Sequence, residues 1–287
     1  MPKLIFTSDW HAGLTSLNVI GRMLQEIASA APDAVIVAGD QGGTLREARS
    51  ALAMARAILP CPIGVIAGNH DLWGRAPGGG DSLALFEYTW PALCRELGLV
   101  WLETEVLRIG ATAVTGTIGW YDYSRRPPEG HPLLGDWTPS KLAAVKSAYS
   151  NDAHYINWEL TDPEFADQRG KSLEIRLTAL EADASVEAVV VATHVPAFAE
   201  QLISRPEDSP LADAYFGNLT LGTRIARYSK VCYVFSGHTH REVPWTERVA
   251  EGNRSIIVST SASDYGMPSY LSLSDLIRLP TFRHRRQ

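Results

Sequence analysis

Ile63-Gly64-Val65-Ile66-Ala67-Gly68-Asn69-His70-Asp71 is a short apolar run that stops at a glycine and turns to an amide, an imidazole and a carboxylate. A nearly continuous apolar run of this length reads as a strand buried on both faces. The same grammar recurs along the chain. Leu4-Ile5-Phe6-Thr7-Ser8 runs into Asp9, and Ala34-Val35-Ile36-Val37-Ala38 into Gly39-Asp40. Ala188-Val189-Val190-Val191-Ala192 leads to His194, and Val231-Cys232-Tyr233-Val234-Phe235 to Gly237-His238-Thr239-His240. Helical stretches lie between the first runs. Residues 16–31 carry Ile20, Leu24 and Ile27 at helical spacing behind a Ser16 cap, and residues 45–59 stop before Pro60. Further helices are predicted over 81–97, closed by Gly98, and over 165–185. Residues 101–120 read as two strands around Gly110-Ala111, and 255–261 as another. The β-α-β-α-β order of the N-terminal third predicts a largely parallel sheet covered by helices.

The chain has 287 residues, 45% of them hydrophobic and 20% charged, which excludes wholesale disorder. A chain of this length buries enough surface to need no disulfide scaffold. Its formal charge of −6 argues against extended nucleic acid as the partner, because that task needs a basic field. Cys61, Cys94 and Cys232 are scattered and odd in number, which suits a reducing compartment and argues against thiolate zinc sites. No leader-like pattern precedes the first strand and no apolar run approaches a membrane span, so a cytoplasmic location is the expectation.

The middle of the chain has a different texture. Residues 119–168 hold Trp120, Tyr121, Tyr123, Trp137, Tyr149, Tyr155 and Trp158. Aromatics on that scale need burial or a ligand, so the segment reads as an ordered insertion in a single domain spanning 1–287. Pro77-Gly78-Gly79-Gly80 reads as a loop, and the tail from Arg278 as a solvated terminus.

Five of the eight histidines, His11, His70, His194, His238 and His240, follow buried-strand runs, beside Asp9, Asp40, Asn69 and Asp71. Ligands in α/β sheets bind outside the carboxyl ends of the strands, so these side chains should converge. One Asp-x-His would mean little, since a lone Asp after a strand is usually a cap. Five such items in order imply a cation, because clustered carboxylates and imidazoles are costly without one. The set contains imidazole, carboxylate and amide but no thiolate, which suits Mn²⁺, Fe or Zn²⁺.

The ordered set Asp9-x-His11, Gly39-Asp40, Gly68-Asn69-His70-Asp71, His194 and Gly237-His238-x-His240 resembles the calcineurin-like metallophosphoesterase superfamily. All five blocks are present between residues 9 and 240. The resemblance implies an α/β fold, a four-layer α/β/β/α sandwich with two central mixed sheets. It implies two divalent metal ions, with Mn favoured. Asp9, His11 and His240 would hold one, Asn69, His194 and His238 the other, and Asp40 would bridge them. A bridging hydroxide would attack phosphorus while His70 assists the leaving group and Asp71 orients His70. The expected enzyme is a metallophosphoesterase acting on a small phosphate ester, with a phosphodiesterase slightly favoured. A phosphomonoesterase, a nuclease and a non-catalytic scaffold of the same fold are the alternatives. A nucleotide-like substrate would suit stacking on the aromatic insertion.

Arg241 adjoins a ligand motif and is a candidate phosphate clamp, since guanidinium suits bidentate oxyanion binding. Tyr121 and Asp122 are candidates for lining the substrate cleft, against a packing role. Arg125-Arg126, His131 and His154 read as surface. The loop Asp264-Tyr265-Gly266-Met267-Pro268 yields no role from sequence.

Overall fold

The computed structural model describes residues 2–130, 135–203, 209–250 and 254–273. His131 and the tail from Arg278 lie outside the described residues. Two mixed sheets form the centre. The first is ordered β11(Tyr270–Ser272)-β1(Leu4–Thr7)-β2(Ala34–Ala38)-β3(Ile63–Ile66)-β4(Val100–Trp101). The second is ordered β5(Leu107–Ile109)-β6(Thr112–Thr117)-β7(Ala188–Thr193)-β8(Val231–Ser236)-β10(Arg254–Thr260)-β9(Val243–Ala250). β1 to β4 run parallel, as do β6, β7, β8 and β10, while the outer strands β11, β5 and β9 pair antiparallel.

Alternation along the strands explains the continuous apolar runs. Leu4, Phe6, Ile36 and Ile66 of the first sheet share a core with Val114, Val190, Tyr233 and Phe235 of the second. Their neighbours Ile5, Val35, Val37 and Val65 face outwards onto Ile20, Leu24, Ile27 and Leu52 of the helices Leu17–Ser29 and Leu45–Ile58. Val189, Val191 and Val234 face Leu173, Leu177 and Ile225 of the helices Asp162–Ala182 and Leu219–Ile225. The central strands β1, β2, β3 and β6 are buried on both faces, and the layers run helix, sheet, sheet, helix.

Several boundaries differ from the sequence reading. The helix expected over 81–97 is broken into Ser82–Ala84, a single π-type turn Leu85–Thr89 and Trp90–Leu97. Pro91 has no N–H to give the preceding turn, and its ring crowds that turn's carbonyl, so the turn widens. The helix expected from Phe165 begins at Asp162, where Thr161 and Glu164 form a capping box and Pro163 occupies the first turn. The hairpin at Gly110-Ala111 joins β5 to β6, but Trp101 belongs to the other sheet. Strands β9 and β11 had no sequence signal, being outer strands with one partner each.

The aromatic segment packs against the outer face of the first sheet. Trp120, Tyr121 and Tyr123 are buried with Leu142, Phe165 and Tyr215. Two buried carboxylates organise it. Asp162 accepts from Trp120 Nε1 at 2.8 Å, Lys146 Nζ at 2.6 Å and the Tyr123 hydroxyl. Asp152 accepts from the Tyr121 hydroxyl at 3.0 Å and Trp73 Nε1 at 2.8 Å. Each such ring buries on the order of 150–250 Å², roughly 4 kcal/mol of apolar burial, far more than a linker retains.

Candidate metal centre

Parallel strands place their carboxyl ends on one edge, and both sheets deliver their polar residues there. Asp9 and His11 follow β1, Asp40 follows β2, and Asn69 and His70 follow β3. His194 follows β7, and His238 and His240 follow β8. The turns off these strands are sharp. Asp9, His11, Asp40, His238 and His240 all have positive φ, a conformation that costs a non-glycine residue about 1–2 kcal/mol. Five of the eight non-glycine residues with positive φ among those described are therefore in this cluster, so the strain is concentrated at the site. At Gly68 a Cβ would stand 2.1 Å from Asp40 Oδ1, so only glycine lets the two strand ends approach.

Hydrogen bonds outside the cluster fix which atoms face inwards. His194 Nδ1 lies 2.9 Å from the Ala38 carbonyl, which places its proton there and leaves a lone pair on Nε2. His238 Nε2 lies 3.1 Å from the Tyr215 carbonyl, leaving the lone pair on Nδ1. Asn69 Nδ2 donates to Asp152 at 2.9 Å, which turns Oδ1 inwards. Asn69 Oδ1 then sits 3.0 Å from His194 Nε2 and 3.1 Å from His238 Nδ1. Three acceptors converge with no proton between them, and Asp40 Oδ1 is 3.5 Å from His194 Nε2. A cation resolves that arrangement; a hydrogen bond does not.

The other side of Asp40 repeats the pattern. Asp40 Oδ2 lies 3.6 Å from His11 Nε2, and His11 Nε2 lies 3.1 Å from His240 Nε2. His240 Nδ1 is turned to Asp264 at 3.4 Å, and its Nε2 is 3.5 Å from Asp9 Oδ1. Ligand atoms of Asp9, His11, Asp40 and His240 all lie within 4.8 Å of one another. His11 Nδ1 is buried without a hydrogen-bond partner. The donor set thus fits one divalent cation on each side of Asp40, all nitrogen and oxygen.

Burial pushes His11 down to about 4 and His194 to about 3, and holds His238 and His70 below the ordinary histidine range. These imidazoles are neutral at neutral pH, with lone pairs available to a cation. Asp40 moves the other way. Burial, and then the charges of Asp71 and Asp9, raise it well above the usual carboxylate range. That repulsion is what a bound cation relieves.

His70 donates its backbone N–H to Asp40 Oδ1 at 2.9 Å, and its ring is stacked on Trp73 at 3.7 Å between centroids. Its side chain keeps 16% of its surface open, so it can reach a bound molecule. Asp71 does not bond the His70 ring. Its carboxylate accepts from the backbone N–H groups of Gly68, Asp40, Gln41 and Gly42, locking the two strand-end loops together. Burial still pushes it up to about 7 against those four donors.

The remaining sequence candidates fall in different places. Tyr121 is fully buried and supports the centre from behind through Asp152. Asp122 accepts from Ser124 N at 2.9 Å and lines a cavity with Pro163 and Arg224, away from the cluster. Arg241 donates to the Ile203 carbonyl at 2.6 Å and lines a cavity beside Thr239. Arg126 donates to the Tyr123 carbonyl. The His154 carbonyl accepts from Arg75.

Three supporting residues were not among the sequence candidates. Asp152 orients Asn69 across 83 positions of chain. Asp264 faces His240, and Tyr265 sets its ring 4.7 Å from His11 and 4.8 Å from His240. Only the acid and aromatic residue types in an unassigned loop hinted at the latter pair.

No helix among the described residues is long and apolar enough to cross a membrane. No curated protein sequence matches the chain. Among solved structures, it is similar to phosphopantetheinyl hydrolase from Mycobacterium tuberculosis, with a TM-score of 0.72 and 20% identity over 97% of this chain and 98% of that one. It also aligns with a dimetal phosphatase from Danio rerio, with a TM-score of 0.48 and 13% identity over 91% and 88% of the two chains. The first likeness speaks to the fold alone. The sequence itself matches the calcineurin-like phosphoesterase family over residues 2–242. This chain therefore belongs to the calcineurin-like phosphoesterases, hydrolases of phosphoester bonds that work with a dinuclear divalent metal centre.

Proposed function

We propose that the chain hydrolyses phosphodiesters of small molecules. Asp9, His11 and His240 would hold one cation and Asn69, His194 and His238 the other, with Asp40 placed between the two groups. The observation that carries this assignment is the meeting of Asn69 Oδ1, His194 Nε2 and His238 Nδ1 with no proton among them. The donor set, nitrogen and oxygen without thiolate, suits Mn²⁺, Fe or Zn²⁺, and Mn²⁺ is the ion to assay first on the family resemblance. When bound, such a pair supplies a water-derived nucleophile at neutral pH and neutralises charge on the phosphoryl oxygens.

The chain's own residues do the rest. His70 assists the departing oxygen through the N–H of its neutral ring, which Trp73 holds in place by stacking. Asp71 keeps the Asp40 and Asn69 loops in register. Among the described residues no lysine or arginine hydrogen-bonds any of the seven ligand candidates. A diester, with one negative charge, suits that surrounding better than a doubly charged monoester. Residues 119–168 act as the insertion that backs the centre through Asp152. Stacking of a nucleobase would fall to Tyr155 and Tyr265, 37% and 51% exposed, rather than to the buried rings. The phosphopantetheinyl hydrolase likeness adds phosphopantetheinyl diesters to the substrates worth assaying.

The test compares p-nitrophenyl phosphate with bis(p-nitrophenyl) phosphate in Mn²⁺, for the wild type and His70→Ala. The expected result is a diester preference, and a loss of turnover in His70→Ala on the order of 10²–10⁴ with both metals still bound. A monoester preference overturns the diester reading, and unchanged turnover in His70→Ala overturns its leaving-group role.

A further inference from the structure

Neither ring nitrogen of His70 has a hydrogen-bond partner among the described residues. Asp40 Oδ2 stands 3.9 Å from Nε2, too far for a hydrogen bond, and Asp71 is turned to backbone N–H groups. A histidine that assists a departing oxygen needs a fixed ring, and here ring contacts fix it. The imidazole meets His11 edge-on at 4.6 Å and stacks on Trp73 at 3.7 Å, with the two planes 26° apart. The local backbone explains the stack. His70–Leu72 is a 3₁₀ turn, in which side chains three residues apart eclipse, so Trp73 lies over His70.

Trp73 is gripped in turn by one element of the aromatic insertion. Asp152 and Tyr155 are the first and last residues of the single helical turn Asp152–Tyr155, and three residues apart they share a face. Asp152 Oδ1 accepts from Trp73 Nε1 at 2.8 Å, and the Tyr155 ring stacks on Trp73 at 4.3 Å with planes 15° apart. Backbone bonds hold the two segments together. Arg75 N donates to the Tyr155 carbonyl at 3.0 Å, and Ser82 N to the Asn157 carbonyl at 2.9 Å. His70, Trp73 and Tyr155 thus form a ladder of rings whose far end belongs to the insertion.

We propose that the turn Asp152–Tyr155 is the positioning device for His70, acting through Trp73 in place of a hydrogen-bonded carboxylate. Tyr155 and Asp152 fix the indole, and the indole fixes the imidazole against the departing oxygen. Trp73 and Tyr155 are positioning residues. The same turn serves the metal side of the centre, since Asp152 also sets the Asn69 amide. This rests on the leaving-group role of His70 given above.

Two diesters that differ only in the departing group test it in Mn²⁺: methyl p-nitrophenyl phosphate and methyl phenyl phosphate. In both, water's oxygen bonds to phosphorus, the aryl P–O bond breaks with its electron pair on the aryloxide, and the His70 N–H hydrogen-bonds that oxygen. Phenolate is the more basic and draws more on that bond. Trp73→Ala and Tyr155→Ala should lower kcat on the phenyl ester about tenfold, the scale of one aromatic stack, and on the p-nitrophenyl ester less, with KM and metal content unchanged. Tyr155→Phe keeps the ring and should keep the wild-type rate. In a His70→Ala background neither alanine variant should lower kcat further, because both act through His70. The phenyl and p-nitrophenyl monoesters give the same comparison if they turn over faster, so the ladder does not depend on the diester preference. A second readout needs neither metal nor turnover. In chelator-treated protein the His70 ring C–H resonance, identified by its loss in His70→Ala, should lie upfield under the indole ring current. It should move to the position of an unstacked imidazole in Trp73→Ala and part of the way in Tyr155→Ala. Equal losses in the wild-type and His70→Ala backgrounds, losses that track missing metal, or a His70 resonance indifferent to both rings overturn the ladder and leave the reading of His70 intact. Unchanged turnover in His70→Ala overturns that reading itself, and the ladder's role with it.

Discussion

Asp152 is where the fold most directly controls the centre. Its carboxylate accepts from Asn69 Nδ2, Trp73 Nε1 and the Tyr121 hydroxyl, at 2.9, 2.8 and 3.0 Å. In Asp152→Ala all three donors lose their acceptor. Trp73 is partly exposed, so water can replace the acceptor there, whereas Asn69 and Tyr121 are 6% and 0% exposed. Two buried orphaned donors at about 1–3 kcal/mol each give a loss of roughly 3 kcal/mol. For a chain of this size that corresponds to a fall in the unfolding midpoint of roughly 5–10 °C. The effect on the centre is more specific. Without Asp152 nothing keeps the Asn69 amide turned with Oδ1 inwards, and a flipped amide presents two N–H groups to the cation. Removing such an outer partner typically costs about 10- to 100-fold in metal affinity. Asp152→Asn separates the two effects. Its Oδ1 can still accept from Asn69 and Trp73, and the Tyr121 hydroxyl can rotate to accept from the new amide. It should hold metal several-fold tighter than Asp152→Ala. The assay is metal per chain by mass spectrometry, together with chelator competition for Mn²⁺ and calorimetric midpoints of the metal-free forms. If Asp152→Ala loses stability but binds two metals with wild-type affinity, Asp152 is only a packing group and the orienting argument fails.

Three further outcomes follow from the same geometry. In Gly68→Ala the new Cβ would stand 2.1 Å from Asp40 Oδ1 and 2.4 Å from Asp40 N, so backbone must move; the expected result is loss of metal and about 2–3 kcal/mol of stability, and a metal-replete variant would refute it. Chelation should lower the unfolding midpoint of the wild type, because a cation at about 100 times its dissociation constant adds about 2.7 kcal/mol per site; a midpoint indifferent to chelator would contradict the cluster's role. Burial pushes the Cys94 thiol up to about 12 and Cys232 up to about 11, and raises Cys61. The folded protein at pH 8 should therefore react slowly with a disulfide reagent, while the unfolded chain consumes three equivalents, one for each free cysteine. Rapid labelling of the folded form would show that these thiols are not shielded.

The sequence by itself determined the strand cores and the residue types at their ends. Both are local. An apolar run such as residues 34–38 can only be satisfied by burial on two faces, and the Gly39-Asp40 turn after it needs a positive φ within the same few residues. Reading five such units in order was enough to foresee the parallel sheets and the seven side chains that the structure brings together. The tertiary structure decided everything that depends on where a proton or a hydrogen-bond partner comes from. Nothing near Asn69 in sequence says which way its amide turns; Asp152, 83 residues on, sets it. Nothing near His240 announces Asp264 and Tyr265, because that loop reaches the centre only after β10 has paired in parallel with β8. Asp71, beside His70 in sequence, serves the backbone of other loops, since four N–H groups converge on it in space. Orientation at a buried site is set by the supply of donors and acceptors from distant elements, and that supply exists only once the sheets have come together.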